Sequence, residues 1–258
     1  MSSETQGLFV WYELMTPDVP AATRFYRDVV GWTTEPFTGG NEPYTIWKAG
    51  DVGVGGVIEL TDEAKKAGAR QQWYAHVLAD DVDALAQKAV SLGGTIAVPG
   101  TDIPTIGRFS IIADPQGAIL SLFKPNRSEP PPRPSGPTPG HFVWHELLAD
   151  GWEKELRFYS DLLGWEKRQA MDLGEGMGTY QMFGKGDRDL GGMMNRPPGY
   201  PLPPHWLYYV RVDDLDAASE RVKKGGGKIW NGPMPIPNGE RIVQCGDAQG
   251  VAFAMQGV

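Results

Sequence analysis

The pattern of hydrophobic and polar positions predicts short strands that alternate with amphipathic helices. The segment from Gly7 to Met15 is rich in aromatic, aliphatic and β-branched residues, as strands are. Pro17 then favours the first turn of a helix, and Gly31 favours its end. Between them, apolar residues recur at helical spacing: Val19, Ala22, Phe25, Tyr26 and Val29. Three further strands are expected over residues 33–38, 44–49 and 54–60.

The same order of elements restarts at Trp73. The pattern predicts a strand over 73–78, a helix over 81–92 that Gly93 and Gly94 end, and strands near Thr95 and over 108–112 and 118–123. Asp, Pro and Gly occupy the first, second and fourth positions of 114–117, as a type I turn prefers. The sequence therefore predicts two successive βαβββ modules.

The chain then repeats itself. Trp11 and Trp144 lie 133 positions apart, and the same spacing relates many further residues. They include Phe25-Tyr26 and Phe158-Tyr159, Gly31-Trp32 and Gly164-Trp165, Asp80-Asp81 and Asp213-Asp214, Arg108 and Arg241, and Asp114 and Asp247. The spacing shifts to 136 at Gly55-Gly56 and Gly191-Gly192, which we interpret as strand bulges or close backbone approaches. The chain thus contains four modules, two in each copy.

A segment rich in proline separates the copies. Residues 128–140 offer no apolar side chain to bury and favour an extended polyproline conformation. We therefore predict three regions: a first domain over 1–127, a linker over 128–140 and a second domain over 141–258. Each domain is expected to be α+β, with a curled mixed sheet around one cleft, and each half is expected to fold around its own core.

Composition and charge narrow the classes of partner. A formal net charge of −8 and a pI near 5.1 disfavour nucleic acid and anionic membranes. The single cysteine, Cys245, excludes an intramolecular disulfide and a zinc site rich in thiolates. The amino terminus has no basic or apolar region typical of a signal peptide, and no apolar run spans a bilayer. We expect a cytoplasmic monomer or homodimer whose partner is a small molecule.

These motifs, in this order and twice, resemble the vicinal oxygen chelate superfamily of glyoxalases, fosfomycin- and bleomycin-resistance proteins and extradiol dioxygenases. The likeness covers nearly the whole chain. More narrowly, two copies joined by a proline-rich linker resemble glyoxalase-like proteins of actinobacteria that are labelled as hydroxylases or antigens. In the members that use a metal, the resemblance implies ligands at three or four places in each copy.

This sequence departs from the family at those places. The equivalent positions hold Trp11, Tyr74 and Ser121 in copy one, and Trp144, Leu207 and Ala254 in copy two. A divalent cation prefers imidazole, carboxylate or thiolate ligands, and none of the six side chains is one. We therefore expect no metal cofactor. One divalent metal remains the alternative, with unexpected ligands such as Glu59 and His76.

Residues two apart on a strand share a face with the former ligand positions. The candidates on that face combine aromatic walls with a few polar groups, as a small-molecule site does. The proposed catalytic residues are Glu13 and His76. The proposed ligand-binding residues are Trp11, Tyr74, Ser121, Phe123, Trp144, Glu146, Tyr209 and Arg211.

Several of these residues have structural alternatives. Glu13 and Glu146 are each expected either to contact a ligand or to form an ion pair with the arginine duplicated in the same copy. That arginine is Arg108 for Glu13 and Arg241 for Glu146. His76 is a packed, hydrogen-bonded residue or a general base. Trp11 and Trp144 pack in the core or stack on a planar ligand. His145 is expected on the opposite face, and His205 has no partner histidine at ligand spacing.

Three functional hypotheses follow. The first is a metal-independent protein that binds an aromatic or polyketide-like molecule and either sequesters it or transforms it by acid–base chemistry, with any chemistry in copy one. The second is a metal-dependent lyase or dioxygenase. The third is a non-catalytic protein that sequesters a drug or binds a partner. The fold alone does not decide between them.

Overall fold

A computed structural model gives the fold, and it describes residues 3–39, 43–126, 138–174 and 176–258. Within these ranges, copy one contains eight strands and three helices. They are β1 (Phe9–Thr16), α1 (Val19–Val30), β2 (Thr33–Phe37), β3 (Tyr44–Ala49), β4 (Val52–Glu59), α2 (Asp62–Lys66), β5 (Gln72–Leu78), α3 (Val82–Ser91), β6 (Thr95–Ile103), β7 (Gly107–Ala113) and β8 (Ile119–Pro125).

Over its described residues, copy two repeats this order without an equivalent of α2. Its elements are β9 (Phe142–Ala149), α4 (Trp152–Leu163), β10 (Glu166–Asp172), β11 (Thr179–Lys185), β12 (Arg188–Asn195), β13 (His205–Arg211), α5 (Leu215–Lys224), β14 (Lys228–Pro235), β15 (Arg241–Gly246) and β16 (Ala252–Gly257). The predicted βαβββ modules are confirmed, and the short helix α2 is an addition to them.

Each copy contributes one mixed sheet of eight strands. The strand orders are β2-β3-β4-β1-β5-β8-β7-β6 and β10-β11-β12-β9-β13-β16-β15-β14. Strands β1 and β4 are parallel, as are β5 and β8, whereas the hairpin neighbours are antiparallel. The α+β class predicted from the sequence is confirmed.

Local signals in the sequence set the ends of the helices and the turns. The Asp18 carboxylate accepts a hydrogen bond from the Ala21 amide at 2.8 Å, which caps α1. Gly31 ends that helix at a φ of 88°, a left-handed conformation that glycine adopts without strain. At the predicted turn, the Gly117 amide donates to the Asp114 carbonyl at 3.0 Å, which confirms the turn.

The structure divides into two compact units, and each unit takes segments from both copies. Unit 1 comprises residues 1–10, 74–131 and 145–206, and unit 2 comprises residues 11–73, 132–144 and 207–258. Unit 1 therefore contains the second module of copy one and the first of copy two, and unit 2 contains the other two modules.

An aromatic cluster forms the centre of each unit. In unit 2, Tyr26 packs against Trp32, Trp47 and Trp73, with ring centroids 5.4–5.8 Å apart. In unit 1, the ring of Tyr159 lies 5.0 Å from Trp165 and 5.4 Å from Trp206. All seven of these tyrosine and tryptophan side chains are almost fully buried. Burial of large aromatic surfaces stabilises each unit.

The predicted domain bounds remain a prediction. Most of the proposed linker, 128–137, lies outside the described residues. Its end is held within unit 2, where the Gly140 amide donates to the Arg211 carbonyl at 2.8 Å and the Trp32 indole donates to the Gly140 carbonyl at 2.7 Å. Among the described residues, no helix has the length and apolar character needed to cross a bilayer.

Candidate functional site

In unit 2, strands β1 and β3 place the first candidate set. The Trp11 indole donates a hydrogen bond to the Tyr44 hydroxyl at 2.7 Å, and this hydroxyl donates in turn to the Glu13 carboxylate. Glu13 is buried. Burial raises the pKa of Tyr44 well above its usual value, and the negative charge of Glu13 raises it further. The phenol therefore remains a donor that orients the carboxylate.

A glycine makes room for this arrangement. A Cβ atom on Gly56 would lie 2.0 Å from the Tyr44 hydroxyl oxygen, and one on Gly55 would lie 2.3 Å from the Tyr12 carbonyl oxygen. The close approaches predicted for the Gly-Gly pair are confirmed. The role of Tyr44 was missed because it depends on the pairing of β3 with β4, which sets Ile46 opposite Gly56.

In unit 1, His76 lies among aromatic rings. Its ring centroid is 5.6 Å from Tyr74, 6.3 Å from Phe109 and 5.8 Å from Phe123. His76 and Ser121 are register partners on β5 and β8, and both are buried. The structure thus brings together four of the residues predicted in copy one, namely Tyr74, His76, Ser121 and Phe123. Phe109 was missed, because its place opposite Phe123 follows from the pairing of β7 with β8.

The predicted copy-two residues that lie in unit 2 form a more apolar set than the predicted copy-one residues do. Leu207, Tyr209 and Ala254 are buried together, and Trp144 packs against them. The Tyr209 hydroxyl accepts a hydrogen bond from the Gln244 amide at 3.0 Å. Two of the former ligand positions, Leu207 and Ala254, are therefore part of an apolar core cluster.

Arg211 lies beyond this cluster and is paired. It forms an ion pair with Glu240, whose carboxylate also accepts a hydrogen bond from the Gln256 amide at 2.6 Å. The hydrogen bond from Arg211, followed by that from Gln256, lowers the pKa of Glu240. A ligand that binds Arg211 must therefore compete with Glu240 for it.

Glu146 is placed in unit 1 on β9, and it is buried like Glu13. Its register partner on β12 is Gly192. A Cβ atom on Gly192 would lie 2.1 Å from the Tyr180 ring, which repeats the relation between Gly56 and Tyr44. His145, on the opposite face of the strand, stacks on Phe9 with ring centroids 3.6 Å apart, in agreement with a structural role.

The predicted alternative of a Glu–Arg pair in each copy is wrong. Arg108 bonds to Asp83 and Asp102, at 2.8 and 2.9 Å. Arg241 bonds to Asp216 at 3.0 Å. In both copies the arginine donates hydrogen bonds to an aspartate in the first turn of a helix, 25 positions earlier in the sequence. Arg108 bonds to Asp83 in copy one, and Arg241 bonds to Asp216 in copy two. The two arginines therefore do not neutralise Glu13 and Glu146.

The residues at the former ligand positions do not fit a divalent metal. The copy-two positions are an indole, an isobutyl group and a methyl group, in an apolar cluster that would desolvate a cation without replacing its ligands. In copy one, Ser121 is fully buried and its hydroxyl lies 3.5 Å from the Ser110 carbonyl. Glu59 is exposed at the end of β4. Over the ranges that the structure describes, no group of three or more His, Cys, Asp or Glu side chains is arranged to hold a metal.

Curated proteins of similar sequence match the chain from end to end. The protein named "Putative glyoxylase CFP32" of Mycobacterium tuberculosis is 33% identical over 261 residues, which cover 98% of this chain and 96% of that protein. The anthracycline biosynthesis protein DnrV of Streptomyces peucetius is 28% identical over 269 residues, which cover 99% of this chain and 94% of that protein.

Solved structures share the fold at lower sequence identity. The 2,2',3-trihydroxybiphenyl 1,2-dioxygenase of Sphingomonas wittichii has a TM-score of 0.68 at 12% identity, covering 98% of this chain and 91% of that chain. The Mn(II)-bound glyoxalase of Novosphingobium aromaticivorans has a TM-score of 0.61 at 18% identity, covering 98% and 82%. The sequence profile of the Glyoxalase/Bleomycin resistance protein/Dioxygenase superfamily matches residues 8–122 and 129–255. The chain therefore belongs to this superfamily and carries its domain twice.

Proposed function

We propose that this protein binds an aromatic, polyketide-like molecule without a metal ion and acts on it by acid–base chemistry through residues of copy one. The observation that carries the proposal is the hydrogen-bonded series from Trp11 through Tyr44 to Glu13. A buried carboxylate held in one orientation is suited to accept a proton from a hydroxyl or an acidic C–H group of a ligand. The likeness to an anthracycline biosynthesis protein supports an aromatic polyketide as the ligand class.

His76 is the second proposed catalytic group. An imidazole can act as a general acid or base, and three aromatic rings lie around this side chain. Such rings offer stacking and apolar contact to a planar ligand. The proposal treats the two units separately. In unit 2 it assigns proton transfer to Glu13 and contact with the ligand to Trp11. In unit 1 it assigns proton transfer to His76 and contact with the ligand to Tyr74 and Phe123.

A thermal-shift screen of hydroxylated aromatic polyketides tests binding. A ligand at a hundred times its Kd should stabilise the protein by roughly 2.7 kcal/mol. The screen is run with chelator present, so that a metal-dependent lyase or dioxygenase would give no shift.

Substitutions then test the chemistry on any ligand that is turned over. His76→Ala should lower kcat about a hundredfold or more, the usual contribution of a positioned general base. Glu13→Gln should lower kcat while largely keeping the Kd. Tyr209→Phe is the matched control in copy two and should change kcat little. Full activity in His76→Ala and Glu13→Gln would refute the assigned roles, and binding without turnover would favour a sequestering protein.

A further inference from the structure

The segment between β12 and β13 differs from its equivalent in copy one. Copy one has the helix α2 there, whereas residues 196–204 of copy two include five prolines. Proline fixes the backbone φ and so limits the conformations of the segment. The Arg196 guanidinium holds this segment in unit 1. It forms an ion pair with Asp150 at 2.7 Å and donates a hydrogen bond to the Leu202 carbonyl. The segment is therefore held in place before any ligand binds.

In this segment, the side chain of Tyr200 lies next to that of His205. The two rings are nearly parallel, with centroids 5.7 Å apart and 8° between their planes. The Nδ1 atom of His205 lies 2.9 Å from the Pro203 carbonyl, which accepts only, so Nδ1 carries the proton. Nε2 is then the acceptor, 3.5 Å from the Tyr200 hydroxyl. Burial lowers the pKa of His205, which favours this neutral form.

The negative charge of the buried Glu146 acts on Tyr200 of this pair. Burial, and next the negative charge of Glu146, raise the pKa of Tyr200 to about 12. The positive charge of Arg196 acts in the other direction and lowers the pKa of Tyr200, but Arg196 is already paired with Asp150. Unit 1 thus gathers a buried carboxylate, a phenol that stays protonated and an imidazole with its acceptor nitrogen fixed.

We propose that Glu146, Tyr200 and His205 form a second binding site, in copy two, for an aromatic ligand that carries a hydroxyl group next to a carbonyl group. The ligand hydroxyl donates to Nε2 of His205, and the Tyr200 hydroxyl turns to donate to the ligand carbonyl. The choice of ligand class rests on the proposed function, but the site uses none of the copy-one residues. The sequence indicated Glu146 as a ligand-binding residue but gave no signal for the other two residues, because His205 has no partner histidine and Tyr200 lies next to it only through the path of the proline-rich segment.

Histidine NMR of the full-length protein tests this site separately from that of copy one. The chain has four histidines, at 76, 141, 145 and 205, so long-range proton–nitrogen spectra of the imidazoles can be assigned by substitution. Without ligand, His205 should be neutral at pH 7, with Nδ1 protonated. Addition of alizarin sulfonate, a dihydroxyanthraquinone, should shift the Nε2 resonance of His205.

Two variants and one control sharpen the result. Tyr200→Phe keeps the ring and should weaken the probe response of His205 about three- to tenfold, the effect of one hydrogen bond. His205→Gln installs the residue that copy one has at the equivalent position 72, and it should abolish probe binding at this site. His141→Gln should leave the response of His205 unchanged.

The outcomes separate the two proposals. A shift of the His76 resonances without a shift of those of His205 would overturn the second site and support the function proposed for copy one. A shift at His205 alone would support the second site and count against copy one. Unchanged spectra for both histidines, or a His205 response that survives Tyr200→Phe at full affinity, would overturn the second site.

Discussion

Units 1 and 2 contain the same kind of hydrogen-bonded series, and each series is built from residues of both copies. In unit 2, the Trp73 indole donates to the Tyr26 hydroxyl at 2.8 Å, and that hydroxyl donates to Asp247 at 3.2 Å. In unit 1, the Trp206 indole donates to Tyr159 at 3.0 Å, and Tyr159 donates to Asp114 at 3.0 Å. The duplicated residues thus support the fold by joining one copy to the other.

The two series differ in one neighbouring residue. Glu155 of unit 1 is buried and hydrogen-bonded to Asp114, whereas the equivalent position of unit 2 holds Ala22. Burial raises the pKa of Glu155 to about 8, and the charge of Asp114 adds to this. Two buried carboxyl groups in contact favour sharing a proton. Because unit 2 packs without the second carboxyl group, the fold does not require it, and its effect is on the pH dependence.

Separation of the copies should have the largest effect. The sequence repeat predicts that residues 1–127 and 140–258 fold alone, but each half lacks partners of both series. A half with residues 1–127 keeps Tyr26 without Asp247, and Asp114 without Tyr159. We therefore expect neither half to be a folded monomer, as measured by circular dichroism and analytical ultracentrifugation, and co-expression to restore one cooperative transition. A folded, monomeric half would contradict the account of the units.

Removal of one tyrosine hydroxyl should have an intermediate effect that differs between the units. Tyr26→Phe leaves the Trp73 indole without its acceptor, and leaves Asp247 with backbone donors alone, at Gln249 and Val251. We expect a loss of about 1–3 kcal/mol in the free energy of unfolding.

The matched substitution in unit 1 should be milder. After Tyr159→Phe, Asp114 retains the hydrogen bond with Glu155 in addition to its backbone donors. Urea unfolding of both variants should therefore show the larger loss for Tyr26→Phe. Equal losses would show that Glu155 does not support Asp114.

The pH dependence should show the smallest effect. The pKa of Glu155 is about 8 in the folded protein, above its usual value of 4.5, so the folded state binds this proton more tightly than the unfolded state. The resulting stabilisation is complete below pH 4.5 and is lost as the pH rises towards about 8. Burial raises the pKa of Asp114 and Asp247 in the same direction. The Tm of the wild type should therefore decrease between pH 5 and 8, and Glu155→Gln should show a shallower decrease. An unchanged slope in this variant would contradict the shared proton.

The sequence predicted the elements and their repetition because those depend on local signals. Helix caps such as Asp18 and turns such as that at Asp114 act over a few residues. Both tyrosines and both aspartates of the buried series were visible as duplicated residues. Their bonds were not, because Tyr26 and Asp247 are 221 positions apart and meet only when modules of different copies pack together.

The candidate site was predictable to a smaller extent. Alternation along β1 and β5 correctly indicated buried Glu13 and His76, whereas the duplicated arginines suggested pairs that aspartates form instead. Tyr44 depends on strand register and on the missing side chain of Gly56, and neither is encoded near Glu13 in the sequence.

The chain keeps the superfamily's fold, and we propose that it binds its ligand without a metal ion. The most direct measurement is elemental analysis of the purified, full-length protein after dialysis against chelator, with alizarin sulfonate titrated into the same sample. We predict no stoichiometric divalent metal, an unchanged Tm and the same Kd for the probe before and after chelation. Retention of about one zinc, iron, manganese or nickel ion per chain, with loss of probe binding when it is removed, would contradict the account.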